Sequence, residues 1–317
     1  MVLLVNSAVL ILGLVLIILS SDYLIKVSVK LAYLLRLTTL FIGLILIAFG
    51  TSLPEAAVSI TAVIEKHKDI ALGNIVGSNI ANLGLVLGVS GLLMPLKIDR
   101  SLLKRELPIM LGSALFLYVC CLDLVISRFE GAVMLAGFII FCALSYKHSS
   151  SKDLPGETGE KQILPSVKSK TAVFALFIVS LSLLVLGANL MVNSGVKIAE
   201  FFKVKPWIIA VTVFAIGTSL PELSASISAA VKKISSISIG NIIGSNIFNI
   251  LLVIGSASLL RPISLERHVL KFELPLLIVF SLVVALLMWV KKRISRIDAG
   301  ILFIGYVSFI ILLVRGM

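Results

Sequence analysis

Apolar runs long enough to cross a bilayer follow one another along almost the whole chain, and no other feature restricts its fold as strongly. A run of roughly 20 apolar residues spans the hydrocarbon as a helix, because helical backbone satisfies its own polar groups where no water can. About ten such runs are legible, near 3–21, 38–64, 70–94, 107–125, 131–146, 172–193, 206–231, 237–260, 273–290 and 298–314, the fifth being short. Hydrophobic residues make up 59 % of the 317, charged residues 14 %, and mean hydropathy is +1.15. An all-α membrane protein is expected, with the lipid bilayer as its main solvent.

The first run has no basic stretch before it and no small-residue cleavage site after it, so it is read as a helix of the mature protein. Cys120, Cys121 and Cys142 fall in apolar segments and are expected to pack as small hydrophobes, without a disulfide or metal framework. The formal charge of +12 is scattered over short loops instead of being gathered in one patch, which argues against nucleic acid as a partner. With the N-terminus outside, 18 of the 28 Lys and Arg fall on inner loops and 10 on outer ones, so the positive-inside rule predicts both termini outside.

Two blocks recur at one offset of 167. GTSLPE at 50–55 returns unchanged at 217–222, and GNIVGSNIAN at 73–82 returns as GNIIGSNIFN at 240–249, with eight identities in ten. Each half holds five predicted spans, and an odd number forces the second half into the membrane from the opposite side. The expected architecture is two inverted five-helix repeats, 1–146 and 171–317, joined by a polar, Ser-, Gly- and Pro-rich cytoplasmic linker at 147–170. Inverted repeats with interrupted helices mark secondary transporters, which place their site near the midplane where the halves meet.

The repeated blocks carry the chemistry for such a site. A carboxylate at the bilayer centre costs at least about 2.5–3.5 kcal/mol and is functional by default, which singles out Glu55 and Glu222. Pro54 and Pro221 lack the N–H that closes a helical turn, so carbonyls around Ala48 to Thr51 and Ala215 to Thr218 are expected to open toward a ligand. Spacings of three and four residues put Thr51, Ser52 and Glu55 on one helix face, and Thr218, Ser219 and Glu222 on another. Ser78 and Asn82, like Ser245 and Asn249, are four apart and line a second face. Gly73, Gly77, Gly240 and Gly244 permit close helix approach. The sum is an all-oxygen site with two negative charges, suited to Ca²⁺ or Na⁺.

The remaining carboxylates, Asp22, Glu106, Glu273 and Asp298 among them, fall at helix ends or loops and are read as solvated or paired with nearby Lys and Arg. His67, His148 and His268 lie in loops or at helix ends. No imidazole base is therefore placed beside Ser52 or Ser219, and an intramembrane hydrolase is not expected.

The doubled pair of motifs resembles the two alpha-repeats of the calcium/cation antiporter superfamily, close to the bacterial and archaeal sodium/calcium exchangers. The resemblance implies that Glu55 and Glu222 bind Ca²⁺, with the carbonyls of Thr51 and Thr218 completing its shell. It implies Na⁺ sites at Ser52, Ser219, Ser78, Ser245, Asn82 and the carbonyls of Ala48 and Ala215. Archaeal members carry an aspartate where this chain has Asn249, so one negative charge is absent. The implied function is Ca²⁺ exchange for Na⁺, with Ca²⁺/H⁺ exchange through the same two glutamates as the alternative. The resemblance further implies that access alternates as the paired first and sixth helices shift across a fixed core. No enzyme activity, cofactor or obligatory protein partner is implied, and the location is the plasma (inner) membrane of a prokaryote.

Overall fold

The computed structural model describes residues 2–65, 68–149, 169–202 and 215–316. His67, most of the 147–170 linker and the start of the 206–231 run lie outside these residues. The first half contributes α1 (Val2–Leu35), α2 (Thr39–Thr51), α3 (Leu53–Ile64), α4 (Ala71–Leu93), α5 (Glu106–Cys120) and α6 (Arg128–Ser149). The second contributes α7 (Lys170–Phe201), α8 (Ala215–Thr218), α9 (Leu220–Val231), α10 (Ser235–Leu260), α11 (Val269–Lys291) and α12 (Arg296–Gly316).

Seven of the described helices are long and apolar enough to cross a membrane, and α2 with α3 forms an eighth such path bent by 44°. The chain is a multi-pass helical membrane protein. Two helices run beyond the apolar runs read from the sequence. The first continues past residue 21 to Leu35, because no Gly or Pro falls between Asp22 and Leu35, and it ends where Arg36 turns left-handed (φ 56°) and Leu37 N–H closes on the Ala32 carbonyl at 2.9 Å. The fifth run is not short: α6 has 22 residues, its start fixed by Ser127 and Glu130, which exchange side-chain and backbone hydrogen bonds of 2.7 and 3.3 Å. Ser295 and Asp298 repeat that reciprocal cap at the start of α12, at 3.0 and 3.3 Å.

Short antiparallel strands tie the halves together. β1 (Leu96–Lys97) pairs with β4 (Arg293–Ile294), and β2 (Val125–Ile126) pairs with β3 (Ile263–Ser264). The 15-residue α5 separates β1 from β2 by about 22 Å, so the two ribbons lie at opposite ends of the bundle. Each brings together loops that the charge count assigns to one side.

The helices of the GNxxGSN blocks form the centre: 94 % of the most apolar stretch of α10 and 83 % of that of α4 are buried, against 22 % for α1. Close approach explains how α10 gets there. A side chain on Gly244 would stand 2.3 Å from the Leu44 carbonyl, and one on Gly240 2.9 Å from the Leu40 carbonyl, so α10 and α2 touch backbone to backbone. Gly73 and Gly77 meet no atom of the described residues within 4 Å. A second apolar cluster gathers α1 and α7 around Leu24, Ile25, Phe177 and Leu184 and leans on Phe41, Ile42, Ala225 and Ala229 of the motif helices. The α1–α7 pair is thus a layer laid against the core, its outer face presenting Leu4, Ile11, Ile178 and Leu186 to lipid.

Candidate functional site

Both motif helices break at the same place. Ser52 (φ −82°, ψ 3°) ends α2 and starts α3, Ser219 (φ −87°, ψ 5°) does the same between α8 and α9, and a proline follows two residues on. The turn closes on the serine, since Ala56 N–H donates to the Ser52 carbonyl at 3.0 Å and Leu223 N–H to that of Ser219 at 2.9 Å. The carbonyl that loses its usual donor to Pro54 is that of Gly50. Ala48 is a partial exception to the sequence reading: its carbonyl still accepts from Ser52 N–H at 3.0 Å and lies 3.4 Å from the Thr51 hydroxyl, a second donor.

Glu55 and Glu222 are fully buried and close enough to interact electrostatically, one from each half. Among the described residues neither oxygen of Glu55 has a hydrogen-bond partner, nor does Oε2 of Glu222; Oε1 of Glu222 accepts from the Ser52 hydroxyl at 3.2 Å, across the halves. Ser78 and Thr218 also meet across the halves, at 3.5 Å. Asn249 donates to Asn79 at 3.0 Å, and Asn79 donates to the Asn246 carbonyl at 3.3 Å. Asn82 opens a π-helical segment, Asn82–Val86, and Asn249 lies in another, Phe248–Ile254; such widened turns re-aim side chains and recur at functional sites.

A buried polar atom without a partner costs about 1–3 kcal/mol, yet such atoms gather here. Among the described residues they include both oxygens of Glu55, both side-chain polar atoms of Asn82, the hydroxyls of Ser219 and Ser245, and the amide oxygens of Asn246 and Asn249. Hard cations supply what these oxygens lack. No group of three or more His, Cys, Asp or Glu is found among the described residues, so any cation held here is ligated mainly by neutral oxygen.

Sequence reasoning missed the brace behind the carboxylates. Asn74 donates to the Glu55 carbonyl at 3.2 Å and to the Ser59 hydroxyl at 3.0 Å; 167 residues on, Asn241 donates to the Glu222 carbonyl at 3.3 Å and to Ser226 at 3.0 Å. Asn241 additionally accepts from the Thr51 hydroxyl at 3.2 Å, which binds the second brace to the first motif. The shared offset of Ser59 and Ser226 was the available signal. Glu106 also departs from the expectation of a solvated carboxylate: it is buried, with Arg105 Nε at 3.9 Å and Oε2 unpartnered among the described residues. Asp22 pairs with Lys26 at 2.7 Å and with Lys232 at the end of α9, and Asp298 with Lys291 at 2.5 Å, as the charge pattern suggested.

A multi-pass helical fold with an unsaturated oxygen cluster at the contact of two repeated motifs defines a membrane transporter of cations. The sodium/calcium exchanger protein family model matches residues 5–147 and again 172–315. The chain is 34 % identical to sodium/calcium exchanger MaX1 of Methanosarcina acetivorans over 98 % of each chain, and 31 % identical to inner membrane protein YrbG of Escherichia coli over 95 % of this chain and 94 % of the other. A structure of the sodium-calcium exchanger NCX_Mj, soaked with 10 mM Na⁺ and zero Ca²⁺, matches with a TM-score of 0.84 at 29 % identity, covering 96 % of this chain and 98 % of that one. The chain belongs to the sodium/calcium exchanger family and is a cation-exchange transporter.

Proposed function

We propose that the chain exchanges Ca²⁺ for Na⁺ through one midplane site shared by two inverted five-helix repeats, 1–146 and 171–317, in the plasma (inner) membrane of a prokaryote. The observation that carries this reading is the pair of fully buried carboxylates, one from each half, with three of their four oxygens unpartnered among the described residues. One divalent cation between them balances their charge, with carbonyls of Thr51 and Thr218 in its shell. Na⁺ ions in its place use Ser52, Ser219, Ser78, Ser245, Asn82 and the carbonyls of Ala48 and Ala215; Asn249, neutral and tied to Asn79, adds no third charge. The unpartnered hydroxyl and amide oxygens favour Na⁺ over H⁺ as counter-ion, because a proton titrates a carboxylate and needs no shell of neutral ligands. The family names of the matched proteins, and the two separate matches of the family model at 5–147 and 172–315, agree with this reading.

The test is Ca²⁺ uptake into proteoliposomes. Uptake is expected to follow an outward Na⁺ gradient and to vanish without it; equal uptake without Na⁺ or a pH gradient overturns the exchanger, and uptake driven by a pH gradient alone establishes H⁺ coupling instead. Removing one partner of a buried charge set costs about 3–5 kcal/mol. Glu55→Gln and Glu222→Gln should therefore each lower uptake by more than about 100-fold, with the double variant hardly worse than either single one.

A further inference from the structure

A polar cavity of about 560 Å³ opens at the end of the bundle where β1 pairs with β4. None of the proposed ion ligands lines it. Its walls come from the start of α2, the segment between α4 and α5, the end of α6 and the turn between α9 and α10. Hydroxyls knit these walls together: Thr39 meets Ser236 at 2.7 Å, Thr38 N–H donates to Ser149 at 3.1 Å, and Lys97 N–H donates to Ser235 at 3.2 Å.

The cavity is cationic. Lys97, Arg100, Arg105 and Lys233 face it, with His148, against two carboxylates, Asp99 and Glu106. Glu106 is buried behind Arg105, and Asp99 has an interaction of its own. Lys97, Arg100 and Lys233 are exposed. Lys233 holds φ at 63°, a left-handed position after α9 that glycine fills without strain. The chain keeps a lysine there, at the cavity wall.

We propose that this cavity binds a phosphate group. Arg and Lys together with hydroxyl donors are the partners a phosphate selects, and a cavity of this size holds the phosphate with the glycerol or sugar it is esterified to. Two sources share that chemistry, the headgroup of an anionic phospholipid and a soluble phosphate. The site lies at a helix-end surface of a membrane bundle, on the face the charge pattern assigns to the cytoplasm, where basic pockets meet anionic headgroups.

Native mass spectrometry of the detergent-solubilised full chain with phosphatidylglycerol or phosphatidylcholine tests the assignment. The wild type should retain phosphatidylglycerol and shed phosphatidylcholine. The double variant Arg100→Gln/Lys233→Gln should bind phosphatidylglycerol on the order of tenfold more weakly, while Arg267→Gln/Lys271→Gln, which removes two exposed charges at the β2–β3 end, should not. Retention that excess inorganic phosphate leaves intact assigns the site to lipid; displacement by inorganic phosphate assigns it to a soluble phosphate. Equal weakening in both double variants, or equal retention of the two lipids, overturns the proposal.

Discussion

Asparagine, not glutamate, explains how the site keeps its shape. A carboxylate at a broken turn has few backbone bonds to hold it, and the amides of Asn74 and Asn241 restore that rigidity by gripping the glutamate carbonyl and the serine one turn on. The grip is unequal, because Asn241 also receives Thr51 from the other half. At about 1 kcal/mol for each bond lost, Asn241→Ala should weaken apparent Ca²⁺ affinity more than Asn74→Ala, the former by on the order of 100-fold. Titration of Ca²⁺ uptake in the two variants checks this, and equal effects would show that the bond to Thr51 carries no load. The residue pattern made Glu55 and Glu222 legible because intramembrane charge is rare. The asparagines were visible as members of a repeat, but the direction of an amide depends on neighbours from another helix, and no spacing rule supplies it.

Two helices meet at backbone distance where α10 crosses α2, and this contact places Asn241, Ser245 and Asn249 beside the first motif. Gly244 is the tightest point. A methyl group there has nowhere to go but into the Leu44 carbonyl, so Gly244→Ala should destabilise by about 1–3 kcal/mol and lower the thermal midpoint. Gly112 sits in α5 with nothing within 4 Å among the described residues, and Gly112→Ala should hold or raise the midpoint by removing unfolded-chain freedom. Thermal unfolding of the two purified variants separates crowding from helix propensity; equal shifts would remove the close-contact explanation. Helix existence was readable from apolar length. Helix ends were less so: α1 passes through Asp22, Lys26 and Lys30 because these charges are paired or project past the apolar stretch, which a hydropathy window cannot register.

The halves of the molecule interlock at both ends, β1 with β4 and β2 with β3, and the 167-residue offset relates β1 to β3. Equivalent segments of the two halves thus sit at opposite ends of α5, as inversion requires. Cysteines introduced at Lys97 or Arg293 should react with a membrane-impermeant thiol reagent from the cytoplasmic side only, and cysteines at Val125 or Ser264 from the opposite side only. Labelling of both groups from the same side would exclude inverted halves. A separate apolar cluster packs α1 and α7 as a pair against the core.

Membrane residence and helical class were determined by the sequence alone, and the sequence alone also supplied the recurrence of two blocks at one offset and the choice of Glu55 and Glu222 as the proposed site carboxylates, because each rests on a local feature: unsatisfied backbone in lipid, buried charge, or a repeated string. Tertiary structure decided what depends on contact between distant segments. It set which oxygens remain unpartnered, turned Asn74 and Asn241 toward backbone carbonyls, buried Glu106, and gathered four basic side chains around one cavity. Hydrogen bonds and ion pairs act over a few ångströms, and those distances exist only after the helices have packed.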